Sequence, residues 1–251
     1  MRYDISGLTD VGAVRSSNQD VVAWRLSDNG RQALMLVADG MGGYQGGEIA
    51  SRLAVEAVLE DMASRLEDST WCYADVEVVR ATLRDCVKEA NDHIIAGRHG
   101  DPELEKMGTT LVVAWVIDGC AHIAHVGDSR CYLLRNEAVV CLTRDDTVVQ
   151  NMLDDGSITP GDVPNVPFRN VLTKALGAGP SPEASYHPMP LGPGDRLLLC
   201  TDGLTNALPA AEWPPIIESN ECMESAAEAL INASLERQAA DNVSVVLMTV
   251  F

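Results

Sequence analysis

The sequence predicts an α+β fold in which antiparallel sheets are covered by helices. Short apolar segments of strand length cluster along the chain, amphipathic helical patterns come in pairs, and the regular strand–helix alternation of doubly wound folds is missing. The 251 residues are enough for one large domain with a substantial core. We therefore predict a single domain over residues 1–251, with a flap subdomain at about residues 143–179.

The strand predictions rest on apolar runs rich in β-branched residues and bounded by turn residues. In chain order these runs are VVAWRL, ALMLVA, TLVVAWVI, CAHIAHVG, CYLLR, AVVCL, RLLLC and VSVVLMTV. Two connections are explicit in the sequence. Asp118-Gly119 separates two apolar runs and predicts a hairpin, and Asn136-Glu137 joins CYLLR to AVVCL in the same way.

The helix predictions rest on apolar residues that recur every three or four positions. Residues 47–66 and 76–94 form the first predicted pair, and the periodicity of 76–94 is unbroken. Residues 211–218 and 223–239 form the second pair. Between the pairs, residues 143–179 combine a short helical piece with the segment ITPGDVPNVPF, which is too rich in Pro and Gly for regular structure. We interpret this region as a surface flap.

The composition argues against several classes of partner. A net charge of −19 and a pI near 4.4 disfavour a nucleic-acid partner, because binding a phosphate backbone needs a basic face. No apolar run approaches the ~20 residues of a membrane span. The first residues carry charges and glycines where a secretion signal needs an apolar core. We expect a cytoplasmic monomer with no membrane partner, whose seven cysteines are scattered thiols rather than disulfides or zinc ligands.

Five aspartates lie at the ends of strongly apolar predicted strands. Asp39, Asp128 and Asp202 follow such runs, whereas Asp20 and Asp241 precede them. Each alone is typical of a turn or a helix cap. If the strand ends converge, however, the carboxylates would repel one another strongly unless cations neutralise them. Ligands that offer only oxygen favour Mg²⁺ or Mn²⁺ over metals that prefer His or Cys.

The residues around these aspartates favour chemistry on a phosphate ester. Gly40 directly follows Asp39, lets the backbone approach closely, and can present its carbonyl oxygen to the same metal. Two ions ~3.5–4 Å apart would share a bridging water, lower the pKa of that water and stabilise an in-line displacement at phosphorus. Arg15, in GAVRSSNQD, is the candidate for binding the phosphate oxygens, since a guanidinium fork binds them bidentately.

Eight motifs, in the same order as in a known family, span the chain from about residue 6 to residue 250. They are VRSSNQD, LVADGMGG, GTTLVVAWV, AHVGDSRCYLLR, LTRDDTVVQ, NVLTKALG, LLLCTDGL and DNVSVVLM. In these motifs the sequence resembles the metal-dependent Ser/Thr protein phosphatases of the PP2C (PPM) family, in its bacterial branch. The resemblance implies a four-layer α-β-β-α sandwich, in which helix pairs flank two antiparallel sheets and the metals lie in a cleft between the sheet edges.

The resemblance also implies roles for the core aspartates. Asp39 would bridge a pair of Mn²⁺ or Mg²⁺ ions, with the Gly40 carbonyl on the second ion. Asp202 and Asp241 would complete the first ion. Asp20 would lie close to the pair and bind it directly or through metal-held water.

Further residues of the motifs receive supporting roles by the same resemblance. Asp128 would bind a weaker third ion near the flap, and Arg15 would bind the substrate phosphate. Thr109 and Thr110, in the GTT segment, are expected to be structural and to orient the strand that follows.

Taken together, the motifs predict an enzyme that hydrolyses phosphoserine and phosphothreonine in proteins through a hydroxide bridging two metal ions. Its partners would be phosphorylated proteins and, by family analogy, a cognate bacterial Ser/Thr kinase whose action it reverses. The alternative is a catalytically weak phosphatase-fold scaffold or phospho-sensor. Its only support is Gln19, where the family often has Glu, and Met41, where many eukaryotic members have His. A small-molecule phosphohydrolase is a third possibility, which no covalent-nucleophile motif supports.

Overall fold

The computed structural model describes residues 1–42, 46–179 and 182–251, and over these residues the strands form two antiparallel sheets. Strands and helices are numbered in chain order. The first sheet has five strands, in the spatial order β1 (Tyr3–Asp10), β11 (Val243–Val250), β10 (Arg196–Cys200), β7 (Arg130–Arg135) and β8 (Ala138–Cys141). Strand β1 pairs with β11 along its whole length, from Tyr3 opposite Val250 to Asp10 opposite Val243.

The second sheet has six strands. Its main path runs β2 (Asp20–Leu26), β3 (Gln32–Met41), β5 (Leu111–Ile117), β6 (Cys120–Val126) and β9 (Ser185–Pro190). The short strand β4 (Gly108–Thr109) pairs with the end of β3, outside this path.

Helices cover the outer face of each sheet. On the second sheet these are α1 (Gly46–Glu67) and α2 (Val76–Gly97). On the first sheet they are α4 (Asp202–Ala207), α5 (Trp213–Glu218) and α6 (Met223–Glu236). Helix α3 (Val148–Asp154) belongs to the flap. None of the helices in the described part of the chain is both long enough and apolar enough to cross a bilayer.

The central strands are buried on both faces, and this places the layers. In β10, Leu198 and Cys200 pack against the helices of the first sheet, whereas Leu197 and Leu199 pack into the space between the two sheets. Strands β3, β5 and β11 alternate in the same way. Because both faces are apolar, these strands read as continuous hydrophobic runs rather than as alternating ones. The result is the four-layer α-β-β-α sandwich, and the predicted fold class is confirmed.

The individual elements agree closely with their predictions. The four predicted helices are present, although α6 ends at Glu236, before the predicted residue 239. The hairpin at Asp118-Gly119 joins β5 to β6, with positive φ angles of 47° and 85°. Asn136-Glu137 joins β7 to β8 with φ angles of 51° and 65°, as a tight two-residue turn requires. The division of the domain into a core and a flap subdomain stays a prediction.

Candidate active site

A cleft of about 680 Å³ opens at the end of the sandwich, where strands of both sheets begin or end. Four carboxylates and one guanidinium line it: Asp39, Asp128, Asp202, Asp241 and Arg15. Apart from these, its walls include Met41 and the flap residues Asn170 and Leu172. The structure thus brings together on one surface five side chains that are far apart in the sequence.

Asp39 lies near the end of β3, where the GTT segment holds its backbone. The Thr110 amide and the Thr109 hydroxyl both donate to the Asp39 carbonyl oxygen, at 2.9 and 2.8 Å. The Asp39 amide in turn donates to Thr110 Oγ1 at 3.0 Å. These contacts agree with the structural role expected of the two threonines. They fix the backbone from which the central carboxylate projects into the cleft.

Gly40 is required by packing as well as by any role of its carbonyl. Its amide donates to the Gln19 carbonyl at 3.1 Å. A Cβ at this position would overlap the carbonyl of Gly47 in the first turn of α1. The missing side chain therefore lets α1 begin directly against the strand that carries Asp39.

Asp20 lies behind the lining of the cleft and is 6% exposed. It is the cross-strand partner of Asp39, so the two side chains project from the same face of the sheet. Its Oδ2 accepts hydrogen bonds from Thr201 Oγ1 at 2.9 Å and from Ser244 Oγ at 2.6 Å. Oδ1 has no hydrogen-bond partner within the described chain. Burial, reinforced by the charges of neighbouring aspartates, raises the pKa of Asp20 to about 7.

Asp202 and Asp241 come from the first sheet. Asp202 is the first residue of α4, and its Oδ2 accepts a hydrogen bond from Asn206 Nδ2 at 3.1 Å. Asp241 precedes β11, and its Oδ2 forms an ion pair with an Arg15 terminal nitrogen at 2.7 Å. Burial raises the pKa of Asp202 above its usual range, and the charge of Asp241 adds to this effect.

Asp128 approaches the same cleft from the turn that follows β6. The preceding residue, Gly127, has a φ of +106°, a conformation that side-chain-bearing residues rarely adopt. Burial, followed by repulsion from Asp202 and Asp145, raises the pKa of Asp128 to about 7. As expected, Asp128 lies beside the flap, because it also lines a smaller cavity with the flap residues Arg169 and Asn170.

The chemistry of this site fits a hard divalent cation. The pKa of Asp39 is held well above its usual range, first by burial and then by the charges of Asp20, Asp202, Asp128 and Asp241. Within the described residues, no three acidic, His or Cys side chains are already gathered around one point as ligands of a single ion. What supports the fit is the all-oxygen donor set, its mutual repulsion, and the orphaned Oδ1 of Asp20.

Asn242 is a site residue that the sequence interpretation missed. It is 6% exposed, and its Nδ2 donates to the carbonyls of Val11 and Ser17, both at 2.9 Å. Its Oδ1 accepts from the Gln19 amide at 2.9 Å. One side chain thus ties the loop that carries Arg15 to the start of β11. Its position next to Asp241, in DNVSVV, is the only local signal that could have pointed to it.

Comparison with known proteins decides the family. The family model described as "Protein phosphatase 2C" matches residues 13–240. The chain belongs to the protein phosphatase 2C family. Among curated proteins, it is 35% identical over 240 residues to the serine/threonine phosphatase stp of Listeria innocua, covering 96% of this chain and 93% of that protein. The resemblance drawn from the eight motifs is confirmed, and with it the enzyme class.

Solved structures of family members share the whole fold. The serine/threonine phosphatase of S. agalactiae superimposes with a TM-score of 0.89 at 30% identity, over 99% of this chain and all of that one (100%). The catalytic domain of the serine/threonine phosphatase PstP, solved in complex with two manganese ions, superimposes with a TM-score of 0.82 at 31% identity. That match covers 98% of this chain and 97% of that one.

Proposed function

We propose that this protein hydrolyses phosphoserine and phosphothreonine in proteins, using two Mn²⁺ or Mg²⁺ ions held in the cleft. The observation that carries the proposal is the convergence of four aspartates and one arginine on that single cleft. Burial and mutual repulsion disfavour the charged form of three of these aspartates, and divalent cations relieve both effects.

Asp39, Asp202 and Asp241 are the residues that would hold the core pair, with the Gly40 carbonyl. Asp20 supports them from behind. Two hydroxyl donors fix its side chain through Oδ2, and its Oδ1 is left available to the ions, directly or through a water. We assign Asp128, on the flap side, to a weaker third ion. When bound, the ions supply Lewis-acid activation of water and neutralise charge at phosphorus.

Arg15 has the task of binding and orienting the substrate phosphate. One of its terminal nitrogens pairs with Asp241, and the rest of the guanidinium carries further N–H donors on a side chain that lines the cleft. Guanidinium groups bind phosphate oxygens bidentately, which fixes the phosphoryl group for attack. Asn242 keeps the Arg15 loop in place, and the two threonines keep Asp39 in place.

Three finer features of the assignment are also proposals. The physiological ion is either Mn²⁺ or Mg²⁺; the PstP structure with two manganese ions supports the first. A eukaryotic-like Ser/Thr kinase supplies the phosphoproteins on which the enzyme acts. The enzyme works as a monomer and in the cytoplasm; the seven free cysteines are in keeping with that compartment.

The test is phosphate release from p-nitrophenyl phosphate and from a phosphothreonine peptide, with Mn²⁺, with Mg²⁺ and with EDTA. We expect activity that depends on metal and that Asp39→Asn abolishes, because the substitution removes the central negative ligand but keeps its shape. Isothermal titration with MnCl₂ gives a second readout, in which the variant should lose the tight binding of the wild-type protein. Circular dichroism confirms that the variant is folded.

Two results would contradict the proposal. Near-wild-type turnover by folded Asp39→Asn would refute the two-ion assignment. No activity from folded wild-type protein under any metal would favour the alternative, a phosphatase-fold scaffold or phospho-sensor. In that case Gln19→Glu is the first variant to make, since Glu is what the family often carries there.

A further inference from the structure

Two consecutive aspartates at the base of the flap, Asp145 and Asp146, hold the turn that carries Asp128 from both sides. Asp146 binds Gly127, the residue before Asp128, and Asp145 binds Arg130, two residues after it. Neither aspartate lines the main cleft. Asp145 lines the smaller cavity together with Asp128, whereas the Asp146 carboxylate is engaged by the Gly127 amide and by Lys174.

Asp146 is buried, at 3% exposure, and joins three segments. Its amide donates to the Gly127 carbonyl at 2.9 Å, and its Oδ2 accepts from the Gly127 amide at 3.1 Å. Its Oδ1 pairs with Lys174 Nζ at 3.1 Å, and its carbonyl accepts from the Thr173 amide at 2.7 Å. Thr173 and Lys174 lie near the C-terminal end of the flap, so one residue closes the flap base onto the Asp128 turn.

Asp145 forms the second arm of this arrangement. Its two oxygens accept from Arg130 Nε at 2.8 Å and from a terminal nitrogen of Arg130 at 2.6 Å, a bidentate pair. The Asp145 side chain is 12% exposed. Arg130 is also bonded to the Tyr132 hydroxyl at 3.1 Å, so this arm is anchored in β7.

We propose that Asp146 is a positioning residue: it couples the flap to Asp128 and thereby sets the affinity of the ion that Asp128 binds. The proposal rests on the proposed function, because it takes Asp128 as a ligand. Its physical basis is the paired backbone and side-chain bonds to Gly127, which fix the backbone directly before Asp128. Groups that orient a ligand commonly change metal affinity when they are removed.

The test compares three variants at two residues, Asp146 and Lys174. Asp146→Ala removes the acceptor for the Gly127 amide, and Asp146→Asn keeps an oxygen that can accept from it. Lys174→Met removes the salt bridge to Asp146, together with the 3.3 Å bond from Lys174 to the Glu183 carbonyl, but leaves the bonds to Gly127 intact. We expect Asp146→Ala to raise the Mn²⁺ concentration for half-maximal phosphate release by about tenfold or more. The affinity for the two Mn²⁺ ions held by Asp39, Asp202 and Asp241, measured by calorimetry, should stay unchanged. Hydrogen exchange at the Gly127 amide should speed up in the same variant and stay slow in the other two.

The outcomes separate a positioning role from a structural one. If Asp146→Ala lowers the melting temperature but leaves the Mn²⁺ dependence unchanged, Asp146 is only a structural residue and the proposal is wrong. If Asp146→Ala no longer bound the two Mn²⁺ ions at Asp39, Asp202 and Asp241, the proposal would also be wrong, because the coupling would not be specific to Asp128. If the wild-type protein itself binds no Mn²⁺, the proposed function fails, and this role of Asp146 fails with it.

Discussion

Replacing Asn242 with Ala removes the side chain that ties the Arg15 loop to β11, and its cost follows from the structure. Three side-chain hydrogen bonds are lost: two to the carbonyls of Val11 and Ser17, and one from the Gln19 amide. At about 1 kcal/mol net for each bond, the free energy of unfolding should fall by about 3 kcal/mol. Because the freed loop carries Arg15, kcat/KM for a phosphopeptide should fall roughly tenfold or more, mainly through KM.

The assay is urea denaturation followed by circular dichroism, with linear extrapolation to water, and with EDTA present so that metal binding does not contribute. Asn220→Ala is the matched control. Asn220 donates to the Ile216 carbonyl at 2.7 Å, and neither of these two residues lines the cleft. We expect this control to cost about 1 kcal/mol and to leave KM unchanged. Equal losses of stability in the two variants, or an unchanged KM in Asn242→Ala, would refute the reasoning.

Two further predictions concern a glycine of the site and a histidine remote from it. A Cβ on Gly203 would overlap the Asn242 carbonyl. Gly203→Ala should therefore lower the free energy of unfolding by about 1–3 kcal/mol and weaken Mn²⁺ binding in calorimetry, whereas Gly179→Ala, which has open space, should change neither. The second prediction concerns His122, which is hydrogen-bonded to the Tyr186 hydroxyl at 2.7 Å. Burial lowers the pKa of His122 to about 4. Its contribution to stability is full above the unfolded pKa of about 6.5 and is lost as the pH falls toward 4, by about 2 kcal/mol between pH 7 and pH 5. In urea titrations His122→Asn should lose correspondingly less stability over that range, and parallel pH profiles for wild type and variant would contradict the assignment.

The elements with a strong pattern were predictable from the sequence. The unbroken periodicity of α2 reflects its single buried stripe, which includes Val79, Leu83, Val87 and Ile94. The edge strands β2 and β8 were predicted, whereas the edge strands β1 and β9 were not, each for its own reason. In β1, Gly7 interrupts the pattern because Trp24 packs where its side chain would be. Strand β9 contains two prolines, which only an edge strand tolerates.

Site residues were predictable where a short stretch of sequence marks them, and not where their role depends on residues distant in the sequence. The five aspartates stand out because each lies at the end of an apolar run. The hydroxyls that hold Asp20 do not stand out, because Ser244 is 224 positions away in the sequence and Thr201 is 181 positions away. A polar residue inside a strand is equally consistent with an exposed face. Only the packing of β2, in the second sheet, against the first sheet, which contains β10 and β11, shows that these hydroxyls share one acceptor.

The full-length pairing of β1 with β11 also decides how the molecule can be attached to a surface. Asp10 and Val243 lie at the end of this ribbon next to Asp241 and the cleft, whereas Tyr3 and Val250 lie at the other end. Eight residues of strand separate the two ends by roughly 25 Å. A tether fused next to Tyr3 or next to Val250 therefore begins at the end of the ribbon away from the cleft. Protein immobilised in this way should leave the cleft open to large phosphoprotein substrates.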